Sequence, residues 1–337
     1  MKIGIVGAGG MGSVYGGRLA ATDQEVWLVD IWADHVNRVR EAGLTVEGAA
    51  GSIHSRPHAT INSAEVGPCD LVLVFVKSMY TAEVAPLLPP LLGAAGAVLT
   101  LQNGYGNAET LAEAVGVERV LAGVSYRSAE LVEAGRAIED GIHAETVLGP
   151  FGGGESALAE QVVAAFNLAG LKARTTPTPR NAMWGKLLVN CAGNAIGAIT
   201  DLPILGVANN DPAMQLVDLV IAEVQRLALA RGIELPYPDP SAHVRNNWSR
   251  IGPSARSSTA QDVLKGRPTE IDALNGAIVR ESEREGLDAP YNRAITLLIK
   301  ALEAKNRARS DVLARLADEA LDEHRAGLSQ TLNPDLL

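Results

Sequence analysis

The sequence has few aromatic residues, only two cysteines and no excess of positive charge. Phe, Trp and Tyr make up 4% of its 337 residues, so Ala, Val, Leu and Gly must supply most of the core. The formal net charge of −10 disfavours nucleic acid or an anionic membrane as a partner. Cys69 and Cys191 have no metal-type spacing and fit a reducing compartment as buried thiols.

Targeting signals and metal motifs are also lacking. The N-terminus enters a strand pattern directly, without the basic and apolar regions of a signal peptide. No apolar run approaches the ~18 residues of a membrane span, so a cytoplasmic protein is expected. His54 and His58 are close, but Pro57 separates them and no third ligand accompanies them, so no metal site is predicted.

The length and the order of patterns predict two domains, because 337 residues exceed the usual size of a single core. Alternating strand and helix patterns indicate a doubly wound, mainly parallel α/β Rossmann domain over residues 1–176. A linker with prolines at Thr175–Pro179 precedes an all-α domain over residues 177–325, and residues 326–337 are expected to form a loose tail. The expected strands are Lys2–Val6, Glu25–Val29, Asp70–Val76, Ala97–Leu101, Arg119–Ser125 and Glu145–Leu148. The expected helices are Ser13–Ala21, Ala33–Ala42, Thr81–Leu92, Asn181–Ala198, Asp211–Arg231, Ser258–Leu264, Glu270–Glu285, Tyr291–Arg307 and Asp311–Arg325.

A glycine-rich loop follows the first strand and matches the pattern G-x-G-x-x-G. It consists of Gly7, Ala8, Gly9, Gly10, Met11 and Gly12. A bare glycine turn is one interpretation, but the strand before it and the helix after it favour a dinucleotide site. Gly7 then permits the tight turn, Gly9 lets a pyrophosphate approach, and Gly12 allows close packing of helix on strand. The helix N-terminus offers N–H groups and partial positive charge to the phosphates.

An acidic residue ends the second strand. Asp30 lies eighteen residues after Gly12, near the ~20 expected of the carboxylate that binds the adenosine ribose. Such a carboxylate repels a 2′-phosphate and so favours NAD over NADP. A solvated aspartate at a strand end is the alternative, and Arg38 and Arg40 are close enough in sequence to reach a phosphate.

A polar stripe crosses an otherwise apolar helix in the second half. Lys186, Asn190 and Asn194 are spaced by four residues and share one face, with room left beside them by Gly193 and Gly197. Most lysines are solvated, but an unpaired ammonium in a buried helix is costly, so the stripe indicates a polar ligand. Reduction of a ketone fits, because a protonated lysine can supply the proton and stabilise the developing alkoxide.

A third polar cluster lies between residues 256 and 276. Ser257 or Ser258 could be a helix N-cap and nothing more. Glu270 follows Pro268 at what reads as a helix start, where an acid is favoured by the helix dipole.

Taken together, segments along most of the chain resemble the ketopantoate reductase family (2-dehydropantoate 2-reductases). The order and spacing of these segments carry the resemblance, and they read GAGGMG, FVKS, LQNGYG, GVSYRSA, WGKLLVNCAGNAIGAIT and SSTAQDVLKGRPTEIDALNG. The resemblance implies a Rossmann domain followed by a helical domain, with the site in the cleft between them. The spacing Gly-Lys-x-x-x-Asn is also similar to that of β-hydroxyacid dehydrogenases.

The resemblance also implies roles for single residues around the substrate. Lys186 would be the general acid, Asn190 and Asn194 would bind the substrate, and Ser258 would bind its carboxylate. Asn103 would lie near both the nicotinamide and the substrate.

Further residues are implied at the cofactor. Lys77 and the backbone at Ala129 would contact it, together with the glycine loop, Asp30 and Asn103. Glu270 would contact a cofactor ribose or help to position Lys186.

One departure from the family pattern concerns the cofactor. These reductases commonly use NADPH with a basic residue soon after the second strand, where this sequence has Asp30-Ile31-Trp32. NADP(H) is therefore favoured by the family and NAD(H) by Asp30.

The first-choice function is reduction of a 2-oxo acid to the 2-hydroxy acid, with ketopantoate as substrate. The alternatives are an NAD-dependent D-2-hydroxyacid dehydrogenase acting on branched or aromatic 2-oxo acids and, in a different class, a protein that senses NAD(P) without turnover. The expected partner is the small-molecule substrate, and a homodimer is compatible with the sequence.

Overall fold

A mainly parallel β-sheet flanked by helices and a helical C-terminal part form the protein, as the sequence predicts. The computed structural model describes residues 1–49, 51–140 and 144–325, without the side chains of 310 and 313–325. The tail predicted at 326–337 lies outside the described residues. No helix among the described residues is long and apolar enough to cross a bilayer.

The strands of the described residues all precede residue 176. In chain order the N-terminal elements are β1 (Lys2–Val6), α1 (Gly10–Ala20), β2 (Glu25–Val29), α2 (Ala33–Ala42), β3 (Leu44–Gly48), β4 (Gly51–Ser55), β5 (His58–Thr60), β6 (Cys69–Val74), α3 (Thr81–Val84), β7 (Leu92–Thr100), α4 (Asn107–Val115), β8 (Val120–Ser125), β9 (Ser128–Glu133), β10 (Arg136–Asp140), β11 (Thr146–Pro150), α5 (Ala157–Leu168) and β12 (Ala173–Thr175). They form an eight-stranded sheet with the order β12-β11-β8-β7-β6-β1-β2-β5, in which only β8 and β11 pair antiparallel. A four-stranded sheet of order β4-β3-β10-β9 lies against α1.

Alternating side chains of the central strands build two cores, one on each face of the large sheet. Leu71 and Leu73 of β6 belong to the core shared with α1 and α5. Val72 and Val74 of the same strand belong to the core on the opposite face. A strand buried on both faces reads as a continuous apolar run, which is why β6 is recognisable in the sequence.

A buried ion cluster joins the two sheets. Glu139 of β10 pairs with Arg18 of α1 and, at 3.3 Å, with Arg127, which follows β8. Arg127 also donates to the carbonyl oxygen of Gly170 at 3.1 Å. All three charged side chains are almost entirely excluded from solvent, so the one carboxylate compensates two guanidinium groups.

Only helices follow residue 176 among the described residues. They are α6 (Pro179–Thr200), α7 (Ile204–Ala208), α8 (Asp211–Ala230), α9 (Pro240–Trp248), α10 (Ser258–Leu264), α11 (Asn275–Arg284) and α12 (Pro290–Arg325). The apolar side chains of α6, α8, α11 and α12 share one core. Helix α6 also contacts β8 and β11, so it joins this core to the edge of the large sheet. We retain 1–176 and 177–325 as the proposed domain limits.

Four of the predicted helices were wrong in extent. The helix expected over Thr81–Leu92 is α-helical only to Val84 and continues as 3₁₀ turns at Ala85–Leu87 and Pro89–Leu91, because prolines interrupt the hydrogen bonding. The helix expected from Glu270 begins at Asn275, since Leu274 has non-helical dihedral angles (φ −102°, ψ −109°). The helices expected at Tyr291–Arg307 and Asp311–Arg325 are one continuous helix, α12.

The buried ion cluster yields a stability prediction. Replacing Glu139 by Ala leaves two buried guanidinium groups unpaired, so we expect the free energy of unfolding in urea to fall by about 3–5 kcal/mol. Glu133→Ala is the matched control, because it removes an exposed pair with Arg136 and should cost less than about 1 kcal/mol. Equal losses in the two variants would contradict the stabilising role of the cluster.

Candidate functional site

The glycine loop connects β1 to α1 in a conformation that larger residues could not share. Gly7 has a φ of +93°, and a Cβ there would lie 2.7 Å from the backbone nitrogen of Val76. A Cβ on Gly12 would collide with the carbonyl oxygen of Gly7. A Cβ on Gly9, in contrast, would meet nothing within 4 Å. The loop is therefore tightly packed at Gly7 and Gly12 and open at Gly9, as a bound pyrophosphate requires.

The N-terminus of α1 is available to a ligand. No side chain caps this helix, so the amides of its first turn keep their donor capacity. Gly10 lies against Ala129 of β9, and a Cβ on Gly10 would be 2.6 Å from the Ala129 carbonyl oxygen. The backbone at Ala129 thus lies beside the glycine loop.

Asp30 follows β2 and accepts a hydrogen bond from the glycine loop. Its carboxylate accepts hydrogen bonds from the backbone nitrogens of Ala8 at 2.7 Å and Trp32 at 2.9 Å. Ile31 and Trp32 are exposed beside it, and the Trp32 ring stacks on His35 with 5.7 Å between centroids. Asp30 therefore lies next to the glycine loop with exposed apolar side chains at its flank, an arrangement suited to an adenosine moiety.

Lys186 lies on α6 and contacts the end of β8. Its Nζ donates to the carbonyl oxygen of Ser125 at 2.6 Å. Burial of the amine lowers the pKa of Lys186 from 10.5 to about 8, and the negative charge of Glu270 opposes this lowering. The amine therefore changes its charge close to neutral pH.

Asn190 and Asn194 continue the polar stripe of α6 and are partly buried. The room beside the stripe at Gly193 is occupied by the ring of Trp248 from α9, which would collide with any Cβ there. The room beside Gly197 is partly taken by Val207 of α7. The two glycines thus allow neighbouring helices to pack closely along the stripe.

The two serines before α10 have separate positions. Ser257 is the N-cap: its Oγ accepts from the backbone nitrogen of Ala260 at 3.2 Å and donates to the carbonyl oxygen of Asn194 at 2.8 Å. Ser258 is the first residue of the helix and is exposed, with no hydrogen bond to its side chain among the described residues. The capping alternative therefore applies to Ser257 and leaves the Ser258 hydroxyl available.

Charged side chains connect the helical part to the loop after β6. Lys77 forms an ion pair with Asp262 of α10, which also pairs with Arg267 at 3.1 Å. Glu270 accepts a hydrogen bond from the backbone nitrogen of Ser78 at 2.9 Å. Both contacts hold the segment 262–270 against the end of β6.

Asn103 follows β7 on a loop that touches the helical part. Its carbonyl oxygen accepts from Asn107 Nδ2 at 2.8 Å, and its side-chain amide has no hydrogen-bond partner among the described residues. The backbone nitrogen of Tyr105 donates to the carbonyl oxygen of Ala273 at 2.8 Å, which fixes the loop against the turn before α11.

Several of the predicted site residues lie at the carboxyl ends of neighbouring strands. The glycine loop follows β1, Lys77 follows β6, Asn103 follows β7, and Lys186 contacts the end of β8. These four strands are parallel neighbours, and Asp30 follows the next strand, β2. Ligands bind at the carboxyl ends of strands in such sheets.

Two contributors were not identified from the sequence. Ser125 acts through its carbonyl oxygen, which no side-chain pattern reveals, although its place at the end of a predicted strand was a usable signal. The Asp262 side chain is 5% exposed and pairs with two cations, and no local pattern in the sequence indicates this.

Comparison with known proteins supports a single family. Residues 3–153 match the family model described as "Ketopantoate reductase PanE/ApbA", and residues 179–303 match the model of its C-terminal domain. A 2-dehydropantoate 2-reductase of Halobacterium salinarum is 34% identical over 301 residues, covering 89% of this chain and 98% of the relative. One of Pyrococcus horikoshii is 31% identical over 311 residues, covering 90% and 98%.

Solved structures agree with this result. A PanE/ApbA family ketopantoate reductase from Ralstonia eutropha JMP134 aligns with a TM-score of 0.83 and 34% identity, covering 91% of this chain and all of that one. D-mandelate dehydrogenase in a ternary structure with NADH and anilino(oxo)acetate aligns with a TM-score of 0.85 and 29% identity, over 91% of this chain and all of that one. The chain belongs to the ketopantoate reductase family and is an NAD(P)-dependent 2-oxo acid reductase.

Proposed function

We propose that this protein reduces ketopantoate to pantoate, with Lys186 as the general acid. The observation that carries the proposal is the half-buried amine at the carboxyl ends of the parallel strands, with a pKa lowered to about 8. A general acid works best when its pKa is near the operating pH. The 2-dehydropantoate 2-reductases among its relatives support ketopantoate as the first choice of substrate.

The described residues fit a nicotinamide dinucleotide. The glycine loop from Gly7 to Gly12 and the first turn of α1 would hold the pyrophosphate, where the open space at Gly9 leaves room for it. Asp30 would bind the adenosine ribose, and Lys77, Asn103 and Ala129 would contact the cofactor further along. When bound, the reduced nicotinamide supplies the hydride to C2 of the 2-oxo acid.

The chain itself supplies the proton and the orientation. Lys186 Nζ donates a proton to the carbonyl oxygen of the substrate as that oxygen gains electrons, and its charge stabilises the developing alkoxide. Asn103, Asn190 and Asn194 would orient the carbonyl and hydroxyl groups of the substrate. Ser258, exposed at the start of α10, would bind the substrate carboxylate.

Glu270 would keep the amine protonated. Its negative charge raises the pKa of Lys186 against the effect of burial, so more of the acid form is present at neutral pH. Its carboxylate is held by the backbone nitrogen of Ser78 and can also contact a cofactor ribose from that position.

A second candidate is an NAD-dependent D-2-hydroxyacid dehydrogenase that acts on branched or aromatic 2-oxo acids. Asp30, which disfavours a 2′-phosphate, supports it, as does the structural similarity to D-mandelate dehydrogenase.

A substrate and cofactor panel tests these assignments. We expect the highest kcat/KM with ketopantoate when it is compared with 2-oxoisovalerate and phenylglyoxylate, each assayed with NADH and NADPH. A clear preference for 2-oxoisovalerate or phenylglyoxylate with NADH would replace the first choice by the second. Dinucleotide binding without reduction of any of them would indicate a sensing protein.

Replacement of Lys186 provides the test of the acid. Lys186→Ala should lower kcat by about 10²–10⁴-fold while dinucleotide affinity is retained, because the proton donor and the charge that stabilises the alkoxide are lost, whereas the glycine loop is unchanged. Lys172→Ala is the control, since Lys172 is exposed and pairs with Glu145 at 3.8 Å, away from the proposed site. A kcat of Lys186→Ala within tenfold of the parent protein would show that Lys186 is not the general acid.

Replacement of Asp30 tests the cofactor preference. Asp30→Asn should lower the ratio of kcat/KM for NADH to that for NADPH by at least about tenfold, because a charge that repels the 2′-phosphate is removed. The ratio is the proper measure, since the hydrogen bonds from Ala8 and Trp32 are weakened for both cofactors. Asp34→Asn, on the exposed start of α2, should leave the ratio unchanged. An unchanged ratio in Asp30→Asn would contradict the role of Asp30.

A further inference from the structure

A cavity lies between the N-terminal and helical parts, beside the loop that carries Asn103. It has a volume of about 230 Å³, and Tyr105, Glu109, Arg180, Trp184, Leu187 and Ile233 are among its lining residues. Helix α6 contributes Arg180, Met183, Trp184 and Leu187 to this cavity from its first turns. Lys186 lies on another face of the helix, and Asn190 and Asn194 lie one and two turns further along it. The lining residues therefore do not include the polar stripe.

One lining residue of the cavity, Glu109, carries an unpaired carboxylate oxygen. Its Oε2 is buried and has no hydrogen-bond partner among the described residues. Burial raises the pKa of Glu109, although backbone amides at the start of α4 stabilise its charged form. A buried acceptor without a donor is costly, so a ligand that brings an N–H donor would be stabilised there.

An unpaired cation lines the same cavity. Arg180 stacks on the ring of Phe151 at 4.2 Å and makes one long hydrogen bond, 3.4 Å, to the Phe151 carbonyl oxygen. No carboxylate lies within ion-pair distance of Arg180 in the described parts of the chain. Its positive charge counteracts the rise in the pKa of Glu109, although the two groups form no ion pair in the described parts of the chain.

The other arginine of the cavity is already compensated. Arg231 pairs with Glu281 at 2.7 Å and Glu285 at 2.9 Å, and it donates to the Tyr105 hydroxyl at 2.9 Å. The ligand groups must therefore be complementary to Glu109 and Arg180: one cation and one anion on the same small molecule.

Apolar residues also line the cavity. The rings of Tyr105 and Trp184 meet edge to face at 5.7 Å, and Leu187 and Ile233 are further apolar residues of the lining. The volume is below the roughly 300–1,000 Å³ of pockets for drug-sized ligands, so it suits a single small metabolite.

We propose that this cavity binds a free α-amino acid with an apolar side chain. The ammonium group would donate to Glu109, the carboxylate would bind the guanidinium of Arg180, and the side chain would pack on Trp184, Leu187 and Ile233. Arginine suits the carboxylate because its planar donors match both oxygens. This site is independent of the proposed reductase function.

Calorimetric titration of the full chain with L-leucine, without cofactor or 2-oxo acid, tests the proposal. We expect saturable binding with a Kd of about 1 mM or lower. Isocaproate, which lacks the amine, and isopentylamine, which lacks the carboxylate, should bind at least about tenfold more weakly. Absence of saturable binding of L-leucine, or equal binding of all three compounds, would overturn the proposal.

Variants locate the site. Glu109→Gln and Arg180→Gln should each weaken L-leucine binding at least about tenfold, whereas Glu113→Gln on the exposed side of α4 and Arg56→Gln on the surface should not. Thermal unfolding of each variant confirms that it is folded. Binding should persist in Lys186→Ala; its loss there, with retention in the Glu109 and Arg180 variants, would assign the ligand to the substrate cleft instead and overturn the proposal.

Discussion

The hydrogen bond from Lys186 to the carbonyl oxygen of Ser125 is the contact on which the proposed site depends. It joins the main helix of the C-terminal part to the end of a central strand, and so fixes an amine beside the edge where a Rossmann sheet binds its ligands. The same burial that makes this contact lowers the pKa of Lys186 to about 8. The position of the Lys186 amine and its lowered pKa thus have one physical origin, the packing of α6 on the sheet.

The contacts around the segment 262–270 serve the same geometry. Lys77 with Asp262, and Ser78 with Glu270, hold the helical part over the end of β6. Glu270 has two effects there, since it accepts a backbone hydrogen bond and its charge acts on Lys186. The charge that counteracts the desolvation of the amine therefore comes from outside α6.

The sequence predicted best those features whose packing allows only a narrow choice of residues. Three features were recognisable in the sequence: the glycine loop, the continuous apolar run of β6 and the polar stripe on α6. Close packing requires glycine, burial on both faces requires an apolar run, and a shared helix face requires a spacing of four residues. The four-stranded sheet was missed, since its short strands are half exposed and its two hairpins are joined by the pairing of β3 with β10, which are far apart in the chain. The start of α11 was misplaced because the backbone at Leu274, rather than the side-chain pattern, ends the preceding turn. The contact of the Ser125 carbonyl oxygen with Lys186 and the unpaired Oε2 of Glu109 both result from tertiary packing, which local sequence patterns do not reveal.

The pH dependence of kcat/KM for reduction of the preferred 2-oxo acid tests the central claim most directly, because it reports the pKa of the essential acid in the free enzyme. If Lys186 is that acid, activity is level at low pH and falls as the pH rises through about 8, where the ammonium loses its proton. Glu270→Gln removes the charge that raises the pKa of Lys186, so the fall should move to lower pH in this variant. A fall that stays at the same pH in Glu270→Gln, or one that persists unchanged in Lys186→Ala, would contradict the account.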